Sequence, residues 1–334
     1  MESAESDGAN SGSTQSPNNP VFGPVASRRL GQSLGIDPVP AKTCNWNCVY
    51  CQLGRTSPLR VERSESIPVR ETLGKVEVAL QDAQPGAIDW VTFVGSGETL
   101  LHSKIEDLIC GVRALTDLPV AVITNGSFLA YPEVRKEVLS ADAVLPTLDA
   151  GTAALFRKIN RPHPSISFDQ HVLGLEMFRQ EYEGKLLLEV MLVKGLNDSE
   201  EALSDIASCV TQIQPDELHL ALPDRPPAEP WVRPPDPQGL MRASAILGTS
   251  ARVLHPLESV LQLGFDASAL ETILGIITRH PLSESQLTRA LSGWPEEEQA
   301  QLRERLEGSG SAIRVQRHGI HFWVAVSARF PDSP

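Results

Sequence analysis

From residue 21 to about residue 265, short apolar runs alternate with stretches whose apolar residues recur every three or four positions. Runs of the first kind read as buried strands and stretches of the second as amphipathic helices. The strand candidates are 34–39, 88–94, 120–124, 143–148, 186–193 and 217–222, with helical patterns between them at 69–82, 105–115 and 200–213. A strand followed by a helix, repeated six times, predicts a parallel sheet and an α/β fold of partial (βα)6 barrel type. A proline-rich stretch from Pro223 to Pro237 reads as a stiff extended loop, after which 241–247 and 257–263 are expected to close the barrel.

The pattern then changes. Leu270, Ile273, Leu274 and Ile277 share one helical face, and Ser283 with Gln286 forms a capping box that opens a second helix ending near Leu291. Pro295 followed by Glu296, Glu297 and Glu298 opens a third helix, which stops at Gly308. Segments 313–317 and 320–326 alternate around His318 and Gly319 as a hairpin. Three helices and a hairpin predict a small winged-helix-like domain. The expected organisation is a disordered tail over 1–20, a barrel over 21–265 and this C-terminal domain over 266–334. The tail assignment rests on a Ser, Asn, Gly and acidic composition that cannot offset the entropy of ordering.

Composition narrows the function classes. The chain has 334 residues, 41% hydrophobic and 21% charged, in the range of ordinary globular proteins. No apolar run reaches bilayer-spanning length, so no membrane partner is expected. Ser27-Arg28-Arg29 resembles a twin-arginine export signal, but the residues that follow, 31–35, are not apolar enough to complete one. Clustered thiols need a reducing compartment, which points to the cytoplasm. A formal charge of −13 argues against a general polyanion-binding surface, and residues 266–334 carry nine acidic against seven basic side chains.

In a parallel barrel the C-terminal ends of the strands share one face, and chemistry is assembled there. Each predicted strand end is polar: the cysteines follow the first, Gly95-Ser96-Gly97-Glu98 the second, and Thr124-Asn125-Gly126 the third. Thr147 and Asp149 follow the fourth, Lys194 and Asn197 the fifth, and Asp224-Arg225 the sixth. Arg161 and Arg225 stand beside prolines, and a planar guanidinium there suits a carboxylate or phosphate. Glu189 falls inside an apolar strand and needs a partner if buried.

Three cysteines stand out. Cys44, Cys48 and Cys51 are spaced Cys-x3-Cys-x2-Cys, with Tyr50 before the last. Three thiolates on one loop hold three irons of a cluster and leave the fourth open for chemistry. This motif resembles the signature of the radical S-adenosylmethionine (radical SAM) superfamily. The resemblance implies a 4Fe-4S cluster on these three cysteines, with the open iron chelating the amino and carboxylate groups of S-adenosylmethionine. It further implies that one electron splits the sulfonium bond, releasing methionine and a 5′-deoxyadenosyl radical that abstracts hydrogen from a substrate. An electron donor such as a flavodoxin or ferredoxin is then expected. Gly97 and Glu98 resemble the family's Gly-Gly-Glu element, with Ser96 in place of the first glycine of the pair. Thr124, Asn125, Thr147, Asp149 and Lys194, with Tyr50, fall where the family completes its cofactor pocket.

Residues 22–31 and 52–55 resemble the radical SAM group that makes wyosine bases in tRNA, which places RNA among the candidate substrates. The archaeal-type members carry a second cysteine triplet that Cys110 and Cys209 cannot supply. Zinc stays open as an alternative, with His102 as a distant fourth ligand, and with it a metal-stabilised winged-helix regulator that binds nucleic acid without catalysis. No residue type announces the substrate.

Overall fold

The structure, a computed structural model, describes residues 19–248, 251–254 and 269–330. Strands β1 (Val21–Ser27) and β2 (Gly31–Ile36) form an antiparallel hairpin. A long loop then leads to α1 (Val69–Asp82), β3 (Trp90–Phe93), α2 (Ile105–Leu115), β4 (Val120–Ile123), α3 (Pro132–Glu137) and β5 (Ala143–Leu145). Two helices, α4 (Ala153–Ile159) and α5 (Phe168–Glu181), precede β6 (Lys185–Met191), followed by α6 (Glu200–Ile213), β7 (Glu217–Ala221), α7 (Pro237–Leu247) and β8 (Ala251–Val253). The eight strands lie in one sheet in sequence order, and every pairing from β2 to β8 is parallel.

All six predicted strands form, and α1, α2 and α6 occupy the predicted helical ranges. Two strands go beyond the six expected. The β1 sequence carries Gly23 and Pro24, which hide a strand, and the antiparallel edge position with a break in register between Phe22 and Val25 accommodates them. The three-residue β8 is too short to show a period. Segment 241–247 belongs to α7, whereas 257–263 and the expected boundary at 265 lie outside the described residues, as do residues 1–18 of the tail. The proline-rich stretch is no free linker, because Ala228, Glu229 and Val232 within it are buried. Among the described residues no helix is long and apolar enough to cross a membrane.

Alternation along each strand sorts side chains to two faces. Val91, Phe93, Val120, Val122, Val144, Leu186, Leu188, Leu218 and Leu220 join the large core beneath the helices. The opposite parity faces the barrel lumen, where Leu30 from the β1–β2 turn packs on Ala121, Ala143, Leu145 and Leu187. Higher in the lumen the residues are small or polar, and Ser33 and Thr92 share a 2.5 Å hydrogen bond. Gly35 leaves room for Phe22, since a Cβ there would come within 2.2 Å of the Phe22 ring. Small residues above a leucine plug create a cavity of about 360 Å³.

The C-terminal segment comprises α8 (Ala269–Ile277), β9 (Leu282–Ser283), α9 (Glu284–Ala290), α10 (Glu296–Gly308), β10 (Ala312–Arg317) and β11 (Ile320–Ala325). Its strands pair antiparallel in the order β10-β11-β9 over a core of Ile273, Ile277, Leu287, Leu291, Leu302, Leu306 and Trp323. The predicted capping box at Ser283 and Gln286 is present. This segment is fastened to the barrel by a buried ion pair. Arg279 donates from Nε to Asp37 Oδ2 at 2.9 Å and from Nη2 to the Asn19 carbonyl at 2.8 Å, with its guanidinium 4.8 Å from the Phe22 ring centroid. Asp37 stands just beyond the end of β2, so the pair joins the last third of the chain to the root of the thiol loop.

Removing one member of a buried pair strands the other, at a cost of about 3–5 kcal/mol. Arg279→Met should therefore lower the urea midpoint and expose the C-terminal segment to limited proteolysis. Adding Asp37→Asn to that variant should restore part of the loss; a double variant as unstable as the sum of both singles would contradict a coupled pair.

Candidate active site

The thiol loop leaves β2 and is held on every side by backbone bonds. Lys42 N donates to the Ser96 carbonyl at 2.8 Å, and Glu98 N to the Thr43 carbonyl at 2.8 Å. Gly97 makes this approach possible: a Cβ there would sit 2.0 Å from the Thr43 oxygen. On the other side Asn47 N and Val49 N donate to the Asn160 and Ile159 carbonyls at 3.0 and 2.9 Å. From below, Glu229 N donates to the Val49 carbonyl at 2.9 Å, while the Glu229 carboxylate binds Arg55 in a fork and Arg161 at 2.5 Å.

Cys44, Cys48 and Cys51 are free and half-buried. Cys44 and Cys48 pack against Trp46, Ala150 and Phe156. Burial pushes the Cys44 thiol up to about 12, helped by the Glu98 carboxylate, and pushes Cys48 well above the usual range, helped by Asp149. Thiols in such surroundings resist ionising alone and ionise readily against a cationic metal, which takes the place of the proton. Each sulfur also has an N–H donor nearby. Trp46 N lies 3.4 Å from Cys44 Sγ, Asn160 Nδ2 3.7 Å from Cys48 Sγ, and Lys42 Nζ 3.4 Å from Cys51 Sγ. Donors aimed at sulfur are what ligating thiolates of an iron–sulfur cluster use. The soft donor set and its polar contacts thus fit such a cluster.

The zinc alternative finds no support in the geometry. His102 is buried and occupied, with Nε2 at 2.9 Å from the Ile67 carbonyl and Nδ1 accepting from Lys104 N. Among the described residues no three His, Cys, Asp or Glu side chains converge on one ion. A cluster in which each iron takes one thiolate needs no such convergence. Cys110 is exposed on α2 and Cys209 buried on α6, so neither joins the loop.

Two buried carboxylates frame the loop. Glu98 accepts from Leu100 N at 2.9 Å, Thr124 Oγ1 at 2.5 Å and Asn125 N at 2.7 Å. Asn125 in turn donates to Asn45 Oδ1 at 2.6 Å. Asp149 accepts from Tyr50 OH at 2.5 Å, Asn160 Nδ2 at 2.6 Å and Met191 N at 2.7 Å. Asn197 completes this side by donating to the carbonyls of Asp149 and Met191, both at 2.9 Å. Thr147 bridges to Glu189 in the sheet, and its carbonyl faces His171 Nε2 at 3.0 Å.

The strand-end residues singled out in the sequence are therefore brought together, chiefly with one another. Of them Cys48, Tyr50, Cys51, Asp224 and Arg225 line the cavity, whereas Gly97, Glu98, Thr124, Asn125, Thr147, Asp149 and Asn197 do not. Lys194 is not brought in: half-exposed, it pairs with Asp236 at 3.1 Å. The remaining wall comes from side chains that the strand-end pattern did not assign to the pocket, among them Arg28, Arg29, Gln52, Glu189 and His280. Glu189 finds its partner in Arg29. For Arg28 and Arg29 the available signal was a charged pair in a hairpin turn, and for His280 there was none.

Burial raises the Asp149 carboxyl from 3.8 to about 6 despite its three donors. A raised folded-state value means that the folded protein holds this proton more tightly, so the contribution to stability is present below pH 3.8 and is lost as the pH rises to about 6. Unfolding free energies of the wild type and Asp149→Asn, compared across that window, should diverge in the wild type's favour on acidification, by about 1–3 kcal/mol. A difference independent of pH would contradict the buried carboxyl.

The pattern of the Radical SAM superfamily matches residues 39–206, about half of the chain. A protein of Brachyspira hyodysenteriae named GTPase Obg is 44% identical over 205 residues, covering 61% of this chain. The chain spans only 30% of that protein's length, and the name is that protein's own. The UPF0026 protein MJ1312 of Methanocaldococcus jannaschii is 33% identical over 277 residues, covering 81% of this chain and 86% of that protein. Among solved structures, TYW1 with a lysine–pyruvate adduct bound aligns over 91% of this chain and 83% of its own, with 11% identity and a TM-score of 0.47. Matched over half its length by the superfamily's pattern, and over most of its length by a relative one-third identical, the chain belongs to the Radical SAM superfamily of enzymes.

Proposed function

We propose that this enzyme binds a 4Fe-4S cluster through Cys44, Cys48 and Cys51, cleaves S-adenosylmethionine reductively, and takes a hydrogen atom from a substrate held in the barrel lumen. The observation that carries this reading is the opening of the thiol loop onto the cavity: Cys48, Tyr50, Cys51 and Gln52 form one wall of it. When bound, the cluster delivers one electron and S-adenosylmethionine provides the 5′ carbon that accepts the hydrogen. The electron comes from a small redox protein such as a flavodoxin or ferredoxin.

The chain's own residues do the holding. Glu98 with Thr124 and Asn125 on one side, and Asp149 with Tyr50 and Asn160 on the other, fix the loop that carries the three ligands. Gly97 keeps its backbone against that loop. Leu30 closes the lumen away from the thiols and excludes water there. We read the C-terminal segment as a winged-helix-like domain that serves as a cavity wall, through Ile276, His280, Leu282 and Gln286, rather than as a nucleic-acid reader.

Anaerobic reconstitution with iron and sulfide, followed by reduction in the presence of S-adenosylmethionine, should yield 5′-deoxyadenosine and methionine. Cys44→Ala, Cys48→Ala and Cys51→Ala should each reduce that yield to background. A wild-type protein that takes up iron, is reduced, and leaves S-adenosylmethionine intact would overturn the proposal.

A further inference from the structure

We infer that the lumen holds an oxyanion-bearing small molecule, a carboxylate or a phosphate ester, with Arg225 and His280 gripping the anion; this rests on the function proposed above and names the substrate class of the same site. Three arginines face the cavity, from two distant parts of the chain. Arg28 is matched by Asp224 at 3.2 Å, and Arg29 by Glu189. Arg225 forms no ion pair among the described residues; the carboxylate that acts on it, Asp224, is paired with Arg28. Arg225 Nη1 donates instead to two neutral acceptors, Gln52 Oε1 at 2.7 Å and His280 Nδ1 at 3.1 Å.

The imidazole's state follows from its neighbours. Gln52 Nε2 also lies 3.2 Å from His280 Nδ1, so that nitrogen faces two donors and must be the bare one. Burial and four surrounding arginines hold His280 neutral, which places its single proton on Nε2, with no partner among the described residues. A guanidinium and an imidazole N–H thus stand side by side in the wall of one cavity, both donors without an anion. The Arg29 Nε is likewise buried and unbonded. Burial and the neighbouring Arg28 and Arg225 push the Arg29 guanidinium down to about 9 even though Glu189 pairs with it, and the three cavity arginines face only two carboxylates, Asp224 and Glu189. An oxyanion supplies the missing negative charge and accepts these bonds. Gln52 follows Cys51 directly, so the gripped group lies next to the thiol loop.

Calorimetric titration of the reconstituted protein tests this, with inorganic phosphate in one arm and acetate in the other. S-adenosylmethionine is kept saturating, so that its own carboxylate is not read as the site, and chloride holds the ionic strength. Saturable one-site binding is expected in at least one arm: phosphate alone assigns a phosphate ester, acetate alone a carboxylate, and both a site that accepts either. Arg225→Gln should weaken binding at least tenfold, Arg225→Lys should keep part of it, and Arg305→Gln on the exposed surface should change nothing. If Arg225→Gln does not fold, Arg225→Lys and His280→Ala, each expected to weaken binding several-fold, decide the matter. Saturable binding in neither arm, or binding unaltered in these variants, overturns the inference. Cleavage of S-adenosylmethionine, measured on the same preparations without added anion, keeps the two readings apart: anion binding without cleavage sinks the proposed function alone, and cleavage without anion binding sinks this inference alone.

Discussion

The carboxylate of Asp149 holds the site together. It receives the Tyr50 hydroxyl from the thiol loop, the Asn160 amide from the end of α4 and the Met191 amide from the end of β6. Three segments remote in sequence therefore meet on two oxygen atoms. Each bond to a buried carboxylate is worth about 1.5–3 kcal/mol, and losing the acceptor would leave its donors unpaired in the interior. The thiol loop contains no helix and no long strand, so its shape is set by such bonds rather than by any repeat of its own backbone.

Glu98 does the corresponding work on the opposite flank. It gathers Leu100, Thr124 and Asn125, and Asn125 passes the constraint on to Asn45 beside the first cysteine. Burial raises its carboxyl as it raises that of Asp149. Two buried acids close to thiols would be a poor choice for a loop of bare thiolates. In the reading proposed above, the cationic iron–sulfur core would offset the charge of the thiolates that bind it, so that thiolate charge would not add in full to that of the two acids.

Much of the fold was legible because parallel strands buried on both faces read as short apolar runs, and amphipathic helices between them read at their own period. The cysteine triplet was legible because its spacing is local. What the sequence hid was how polar groups satisfy one another. Thr124, Asn125 and Asp149 stand at strand ends and look available to a ligand, yet their hydrogen bonds go to Glu98, Asn45, Tyr50 and Asn160. That pairing depends on which strands are neighbours, and on side chains up to 99 positions apart. The cavity wall was hidden for the same reason. Arg28 and Arg29 read as a failed export motif, because nothing local shows that a hairpin turn folds into the lumen. His280 reaches the cavity beside Arg279, which pairs with Asp37, 242 positions earlier.

That last contact gives the chain a timetable. A polypeptide is made from its N-terminus, and domains tend to fold as they emerge. The thiol loop at 44–51 and the strands β1 to β5 beside it are made long before α8 and β9 exist to supply Ile276, His280 and Leu282 to the cavity wall. Until then the lumen is open along that side, with the three thiols beside the gap. Iron and sulfide for the proposed cluster would have their widest access to the loop during this interval, before the Arg279–Asp37 pair forms.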